Sequence, residues 1–361
     1  MADRPVSNVQ RLAALNRVTG VETEDALLLE LLIRNHALLL ADAEDEVVTL
    51  VTERLANIEE TMKTRMALMV ERGASRDARS VKQFNERVAT IKRIRSDGLR
   101  RITTDIEQGA RRAARASAAN FPQVAKVLAP EVEILTGLNT ISADQVRVAA
   151  SRDFLGMSTR KLIQARDIVG QTSIERELRA SFFAGESAPG TARNIQEILS
   201  GIGKVSKADR IEARTIARTS VNEASNQAAV DLYQRNTDVI KGMRWVATLD
   251  SRVCEECVAL DGRIFSVQNP SRTPPAHFSC RCFMSPVVRG LPPAEVPKAG
   301  DWIKRQPHDI QDKVLGGKIA RLIRDTSSGI TPDDIVTKSG RKRSPDELVR
   351  LSSRRRGKKA A

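Results

Sequence analysis

Residues 22–72 contain neither proline nor glycine, and this run constrains the fold more than any other feature of the sequence. Apolar side chains recur in it at helical spacing: Leu28, Leu32, Leu39, Ala43, Val47, Leu50, Ile58, Met62, Met66 and Met69. The pattern predicts one long amphipathic helix or two in line. A second helical stretch follows the turn RGASRD, where Ser75 or Asp77 is a candidate N-cap, and we expect it to end at Asn120-Phe121-Pro122. Residues 22–121 are therefore predicted to form a long helical hairpin.

Length and composition predict a mainly α protein of two or three domains. The chain has 361 residues, of which only 3% are aromatic, and this disfavours a β-sandwich. Helical patterns continue over residues 158–183, 190–199, 207–235 and 307–325. We predict an N-terminal arm (1–21), the hairpin (22–121), a helical domain (122–205), a small α+β core with all the cysteines (206–290), a linker with a C-terminal helix (291–337) and a basic mobile tail (338–361).

The net charge of +14 predicts a polyanionic partner, nucleic acid first and an anionic membrane surface second. Residues 1–60 carry 5 Lys/Arg against 12 Asp/Glu, whereas residues 61–121 carry 15 against 6. The basic arm is either a solvated face or a surface for a phosphate backbone, and in the latter case we expect contacts from Arg93, Arg100, Arg101, Arg111 and Arg112.

The tail, residues 338–361, has 10 Lys/Arg against 2 acids and little apolar material, so we expect it to be mobile. It is either a solubilising terminus or a non-specific binder of phosphates through Arg354, Arg355, Arg356, Lys358 and Lys359. Because no aromatic residues alternate with these cations, duplex DNA is favoured over single strands.

The apolar run of residues 27–40 is interrupted by Glu30, Arg34, Asn35 and His36, so we predict no membrane span. The amino terminus lacks the apolar region of a secretory signal, and we expect a reducing compartment, in which clustered cysteines more often bind a metal than form disulfides.

All four cysteines lie between residues 254 and 282, together with one of the three histidines. The spacing is Cys254-x2-Cys257, then a loop, then His277-x2-Cys280-x-Cys282. Two close ligands at each end of a loop suit a tetrahedral zinc ion. Five candidates compete for four positions: Cys254, Cys257 and His277 with either Cys280 or Cys282, or all four cysteines with His277 outside the ligand set. The segments around them, MRWVATLD, VALDGRIFSV with a turn at Asp261-Gly262, and FMSPVV, read as three short strands.

We expect this zinc to be structural, a staple for a module with little apolar core. A catalytic zinc needs an open position and a general base, and the sequence has no His-Glu-x-x-His and no His-x-Glu motif beside the cysteines. No catalytic residue is therefore assigned. The alternative is a metal-dependent, nuclease-like DNA-processing enzyme that would use Glu255 or Glu256.

The helix over residues 207–235 has a polar stripe that includes Thr215, Arg218, Asn222, Ser225 and Asn226. Buried polar groups require partners, so we interpret Arg218 and Asn222 as structural residues that fix how this helix meets the next segment.

Three motifs together resemble the Mu F-type phage head morphogenesis family: RTIARTSVNEASNQA, MRWVATLDSRVCEECVALDGRIF and PPAHFSCRC. The positions that carry the resemblance are Ala217, Arg218, Thr219, Trp245, Leu249, Asp250, Arg252, Cys254, Cys257, Asp261, Gly262, Pro275, His277, Cys280, Arg281 and Cys282. It extends over about residues 206–350 through DWIKRQPHDIQDKVLGGKIARLI.

The resemblance implies a minor head protein of a tailed bacteriophage, acting in capsid assembly near the portal vertex and packaged DNA and in some members delivered with the genome. Implied partners are the portal or major capsid protein, double-stranded DNA and, in the particle, further copies of the chain. The implied location is the capsid interior or portal vertex, after assembly in the host cytoplasm.

Overall fold

The computed structural model describes residues 24–70, 78–128, 138–154, 156–184, 188–289, 298–337 and 341–360. Within these ranges the chain is about 70% helical, with ten helices and a small antiparallel sheet, which confirms the predicted mainly α fold with a small α+β module. The helices are α1 (Glu24–Val70), α2 (Ala78–Leu128), α3 (Ala143–Ala150), α4 (Thr159–Ala184), α5 (Ala188–Gln234), α6 (Glu255–Leu260), α7 (Ala299–Lys304), α8 (His308–Leu315), α9 (Gly317–Arg324) and α10 (Pro345–Ala360). The strands are β1 (Ile240–Val246), β2 (Ile264–Phe265) and β3 (Phe283–Val288).

The long helices continue past two of the predicted breaks. Helix α2 extends through Pro122, where the neighbouring Asn120 and Phe121 are buried and the Asn120 amide donates to Leu32 O at 3.3 Å. Helix α5 continues through residues 200–206, although Gly201 and Gly203 each lower helix propensity by about 1 kcal/mol. Both predictions of a break were wrong. Glycine and proline make a helix less stable, but they do not by themselves end it. The predicted arm (1–21), the RGASRD turn and the linker over 290–297 lie outside the described residues.

The chain divides into two units made of stretches that are distant in sequence, because α1, α2 and α5 run through both. One comprises residues 1–42, 112–150 and 222–361, and the other residues 43–111 and 151–221. We call them the core unit and the bundle unit. The six segments expected from the sequence stay a prediction.

In the bundle unit, α1 and α2 approach closely at two glycines of α2. A Cβ on Gly109 would lie 2.0 Å from Val47 Cγ2, and one on Gly98 would lie 2.3 Å from Ile58 Cδ1. Arg95, which the sequence places in the basic run of α2, is buried and forms ion pairs with Asp167 of α4 and Asp209 of α5. This arginine therefore holds helices of the bundle unit together and does not belong to an exposed basic face.

The core unit contains the three-stranded sheet in the order β2-β1-β3, with both pairings antiparallel. Trp245 of β1 pairs with Met284 of β3, and both are fully buried. The expectation of strand on both sides of the Asp261-Gly262 turn was wrong on the first side: residues 258–260 belong to α6, and only Ile264 and Phe265 follow as strand. Gly262 has φ of +76°, which suits glycine at this turn.

The C-terminal segment folds onto the sheet of the core unit. The helix predicted over 307–325 is interrupted at Gly316, which has φ of +76°, and forms α8 and α9. The expectation of a mobile tail was wrong for residues 345–356, because Leu348 is fully buried and Ser352 donates to Ser328 O at 2.9 Å. Across the described ranges, no helix combines the length and apolarity that a membrane crossing requires.

Candidate metal centre

Helix α6 and the turn before β3 bring the cysteine and histidine side chains together. Cys254 is the N-cap of α6, and its sulfur accepts a hydrogen bond from the backbone N–H of Cys257 at 3.4 Å. On the other side, the backbone N–H of Cys280 bonds to His277 O at 3.1 Å, and Ser279 between them has φ of +58°. Each pair of candidate ligands is thus fixed by its own tight backbone turn.

The imidazole of His277 lies between the sulfurs of α6. Its Nε2 is 3.1 Å from Cys254 Sγ and 3.4 Å from Cys257 Sγ, and its Nδ1 is 2.8 Å from the carbonyl oxygen of Phe278. A backbone carbonyl on Nδ1 fixes the tautomer that leaves Nε2 available, as in many metal-binding histidines.

Two groups of donor atoms share Cys257. One is Cys254, Cys257 and His277; the other is Cys257, Cys280 and Cys282; within each group all donors lie within 4.8 Å of one another. The sulfurs of Cys257 and Cys280 are 3.8 Å apart. A tetrahedral zinc with bonds of about 2.3 Å to sulfur and about 2.0 Å to nitrogen places its donors roughly 3.5 to 3.8 Å apart. The cluster could therefore hold a metal ion, and its thiol and imidazole donors suit zinc.

The same proximity shifts the protonation of the cluster. Interaction with the Cys257 thiol lowers the pKa of Cys254 to about 5 and the pKa of Cys280 to about 2. The hydrogen bond to Cys254 raises the pKa of His277 to about 9, and burial raises the pKa of Cys282. The thiolate, which is the form of cysteine that binds metals, is thus favoured at Cys254 and Cys280, whereas the neighbouring cysteines raise the pKa of Cys257.

Polar side chains fix the loops on either side of the cluster. Arg281 forms a two-pronged ion pair with Asp250, with N···O distances of 2.6 and 2.5 Å. The half-buried carboxylate of Asp261 accepts hydrogen bonds from the backbone N–H groups of Ala247 and Ala299, both at 2.8 Å. The sequence singles out Asp250, Asp261 and Arg281 only as motif positions, and their roles become visible in these contacts.

Glu255 and Glu256, the acids next to the cysteines, are both held in ion pairs. Glu255 pairs with Lys342, and Glu256 pairs with Arg272 at 2.7 Å. The two carboxylates therefore connect α6 to later segments of the chain.

The polar stripe of α5 meets the metal centre through two asparagines one helical turn apart. The side-chain amides of Asn222 and Asn226 each donate to Cys282 O at 3.1 Å, and Asn226 Oδ1 accepts from the backbone N–H of Met284 at 3.0 Å. Asn226 thus hydrogen-bonds to the chain at the start of β3 on both sides of Phe283. Arg218 is half-buried, one turn before Asn222.

Another buried contact that the sequence did not predict involves the histidine of α1. His36 stacks on Phe283, with ring centroids 4.6 Å apart, and Ser225 Oγ lies 3.4 Å from its Nε2. The sequence signal for this contact was a histidine within the largely apolar run of residues 27–40.

The basic residues proposed for DNA fall into two groups. Those that are exposed are Arg93, Arg100, Arg101, Arg111 and Arg112 on α2 and Arg354 and Arg356 on α10, and Arg100 forms an ion pair with Asp97. Arg355 and Arg356 of α10 form ion pairs with Asp334 and Asp325. The side chains of Lys358 and Lys359 lie outside the described residues.

The module is a small three-stranded sheet that contacts α5, the helix before it, with the cysteine and histidine cluster next to β3. Residues 172–285 match the family model described as Phage Mu protein F like protein. This match covers about a third of the chain and confirms the resemblance identified from the motifs. Comparisons with curated proteins and with solved structures gave no match.

Proposed function

We propose that this chain is a minor head protein of a tailed phage that acts in capsid assembly near the portal vertex and the packaged DNA. The observation that carries the proposal is the match of residues 172–285 to the Mu F-like family. This stretch contains all five candidate metal ligands. The partners we propose are the portal or major capsid protein and, in the particle, further copies of the chain.

Quantitative mass spectrometry of purified procapsids and mature particles of the producing phage tests this proposal. The number of copies of this chain is measured relative to the portal protein. We expect a low and reproducible ratio in both particles. Absence from both would overturn the proposal, since the protein would then act in the infected cell and not in the head.

We propose that the centre binds one structural zinc through Cys254, Cys257, His277 and Cys280. Cys280 is favoured as the fourth ligand for two reasons. Its sulfur is 3.8 Å from the sulfur of Cys257, the separation expected for two ligands of a tetrahedral zinc, and its backbone N–H donates to His277 O. Cys282 is 2% exposed, and its carbonyl is held by the two asparagines of α5.

Matched serine variants separate the two possible fourth ligands. We expect Cys280→Ser to lose zinc and Cys282→Ser to retain about one zinc per chain, measured by inductively coupled plasma mass spectrometry on protein purified without added metal. The reverse result would assign the fourth position to Cys282. Retention of zinc by both variants would contradict a site that depends on either residue.

A structural zinc is favoured over a catalytic one by the contacts of the neighbouring acids. A hydrolytic zinc needs a carboxylate free to act as a base, whereas Glu255 and Glu256 are engaged by Lys342 and Arg272. We expect the purified chain with zinc to leave supercoiled and linear DNA intact. Cleavage that disappears in Glu256→Gln without loss of the fold would contradict the structural role.

We also propose that exposed basic residues of the chain contact packaged double-stranded DNA without sequence preference. The support is the net charge of +14 and the exposed arginines of α2. Binding through phosphates releases counterions, so its affinity should fall steeply as salt rises.

A further inference from the structure

The C-terminal helix α10 has two faces with different chemistry. One face packs on the core unit through Leu348, which is fully buried, and Ser352, which is hydrogen-bonded to Ser328 O. Arg355 belongs to the same face, since positions 348, 352 and 355 are spaced by four and three residues. The opposite face carries Arg350 and Arg354.

Most cations of residues 341–356 are engaged within the core unit. Arg355 forms a two-pronged pair with Asp334, at 2.7 and 2.8 Å, and Arg356 pairs with Asp325 at 2.5 Å. The other three are engaged as well: Arg341 with Glu347, Lys342 with Glu255, and Arg343 with the carbonyls of Asp334 and Val336. Four of these side chains fasten the segment to the rest of the core unit, and the Arg341 pair lies within the segment itself.

Arg350 and Arg354 are the two cations of this segment that form neither an ion pair nor a side-chain hydrogen bond within the described part of the chain. Both are exposed and lie one helical turn apart, a rise of about 6 Å. Like charges at this spacing disfavour an isolated helix by some tenths of a kcal/mol, and a polyanion outside the fold would relieve that repulsion.

We infer that Arg350 and Arg354 form a phosphate-contacting face of α10 for duplex DNA, while Arg355 and Arg356 latch the helix to the core unit. This inference rests on the proposed contact with packaged DNA and assigns it within the C-terminal segment. Duplex DNA is the partner because guanidinium groups bind phosphates well and because no aromatic side chain, which a single strand would stack on, lies on α10. It also reassigns the role expected for Arg355 and Arg356, which the run of three arginines in the sequence does not distinguish from Arg354.

The test uses the full chain and a random-sequence duplex of about 30 base pairs, with the dissociation constant measured by fluorescence anisotropy at several KCl concentrations. In R350Q/R354Q we expect the slope of log affinity against log salt to fall by about 2, since each lost phosphate contact removes about 0.9. The melting temperature should stay unchanged, because neither side chain supports the fold.

The matched control is R355Q/R356Q, which removes the same charge from the same helix. We expect it to lower the melting temperature and, below that temperature, to keep the wild-type salt slope. An unchanged slope in R350Q/R354Q, or an equal loss of slope in both variants, would overturn the inference. If the wild-type chain itself does not bind duplex DNA, the DNA part of the proposed function fails as well, so the two failures are distinguishable.

Discussion

Acid should destabilise the core unit through His36. Its ring is buried against Phe283, and burial lowers the pKa of His36 from 6.5 to about 4. Between these two values the unfolded chain binds a proton that the folded chain does not, so stability rises with pH through this window and is lost as pH falls through it. The gap between 6.5 and 4 corresponds to about 3 kcal/mol, fully lost only below pH 4.

The assay is urea unfolding of the wild type and of His36→Phe at pH 7.5, 6.5, 5.5 and 4.5. Other titrating groups, including those of the metal centre, contribute to both proteins, so the difference between the two isolates His36. We expect the wild type to lose roughly 2 to 3 kcal/mol more than the variant between pH 7.5 and 4.5. Equal losses in both proteins would refute the assignment of a neutral, buried imidazole at this position.

Further substitutions test the packing described above, each by urea or thermal unfolding. Gly109→Ala should destabilise by about 1 to 3 kcal/mol because its Cβ would overlap the facing valine of α1. Gly203→Ala, where the added Cβ meets nothing within 4 Å, should instead stabilise by up to about 1 kcal/mol; equal effects would contradict the packing argument. Arg95→Met should cost up to about 3 kcal/mol because the buried carboxylate of Asp209 would keep only its pair with Arg166, and adding Asp209→Asn should recover part of that loss. Asn226→Ala should cost about 1 to 3 kcal/mol because a buried backbone N–H of β3 loses its acceptor.

The long helices and two of the three strands could be predicted because their patterns are local. Apolar spacing in residues 22–72 predicts α1, and FMSPVV predicts β3. The breaks expected at Pro122 and at residues 200–206 were wrong because tertiary packing compensates for a local loss of helix propensity.

The candidate metal centre could be predicted as a set of residues but not as an arrangement. Spacing brings Cys254 and Cys257 together, yet it cannot show that the imidazole of His277 lies between their sulfurs. The three arginines at 354–356 look equivalent in the sequence. Only the contacts with Asp334 and Asp325 distinguish the two latching side chains, since those acids are more than twenty residues away.

The metal content of the native chain tests the central structural claim most directly. The protein is purified under reducing conditions without added metal, and zinc per chain is measured together with the melting temperature before and after chelation. We predict about one zinc per chain, and a lower melting temperature both after chelation and in Cys254→Ser. A chain that contains no metal and melts at the same temperature with and without chelator, and in Cys254→Ser, would contradict the claim that a metal ion staples the cysteine segment.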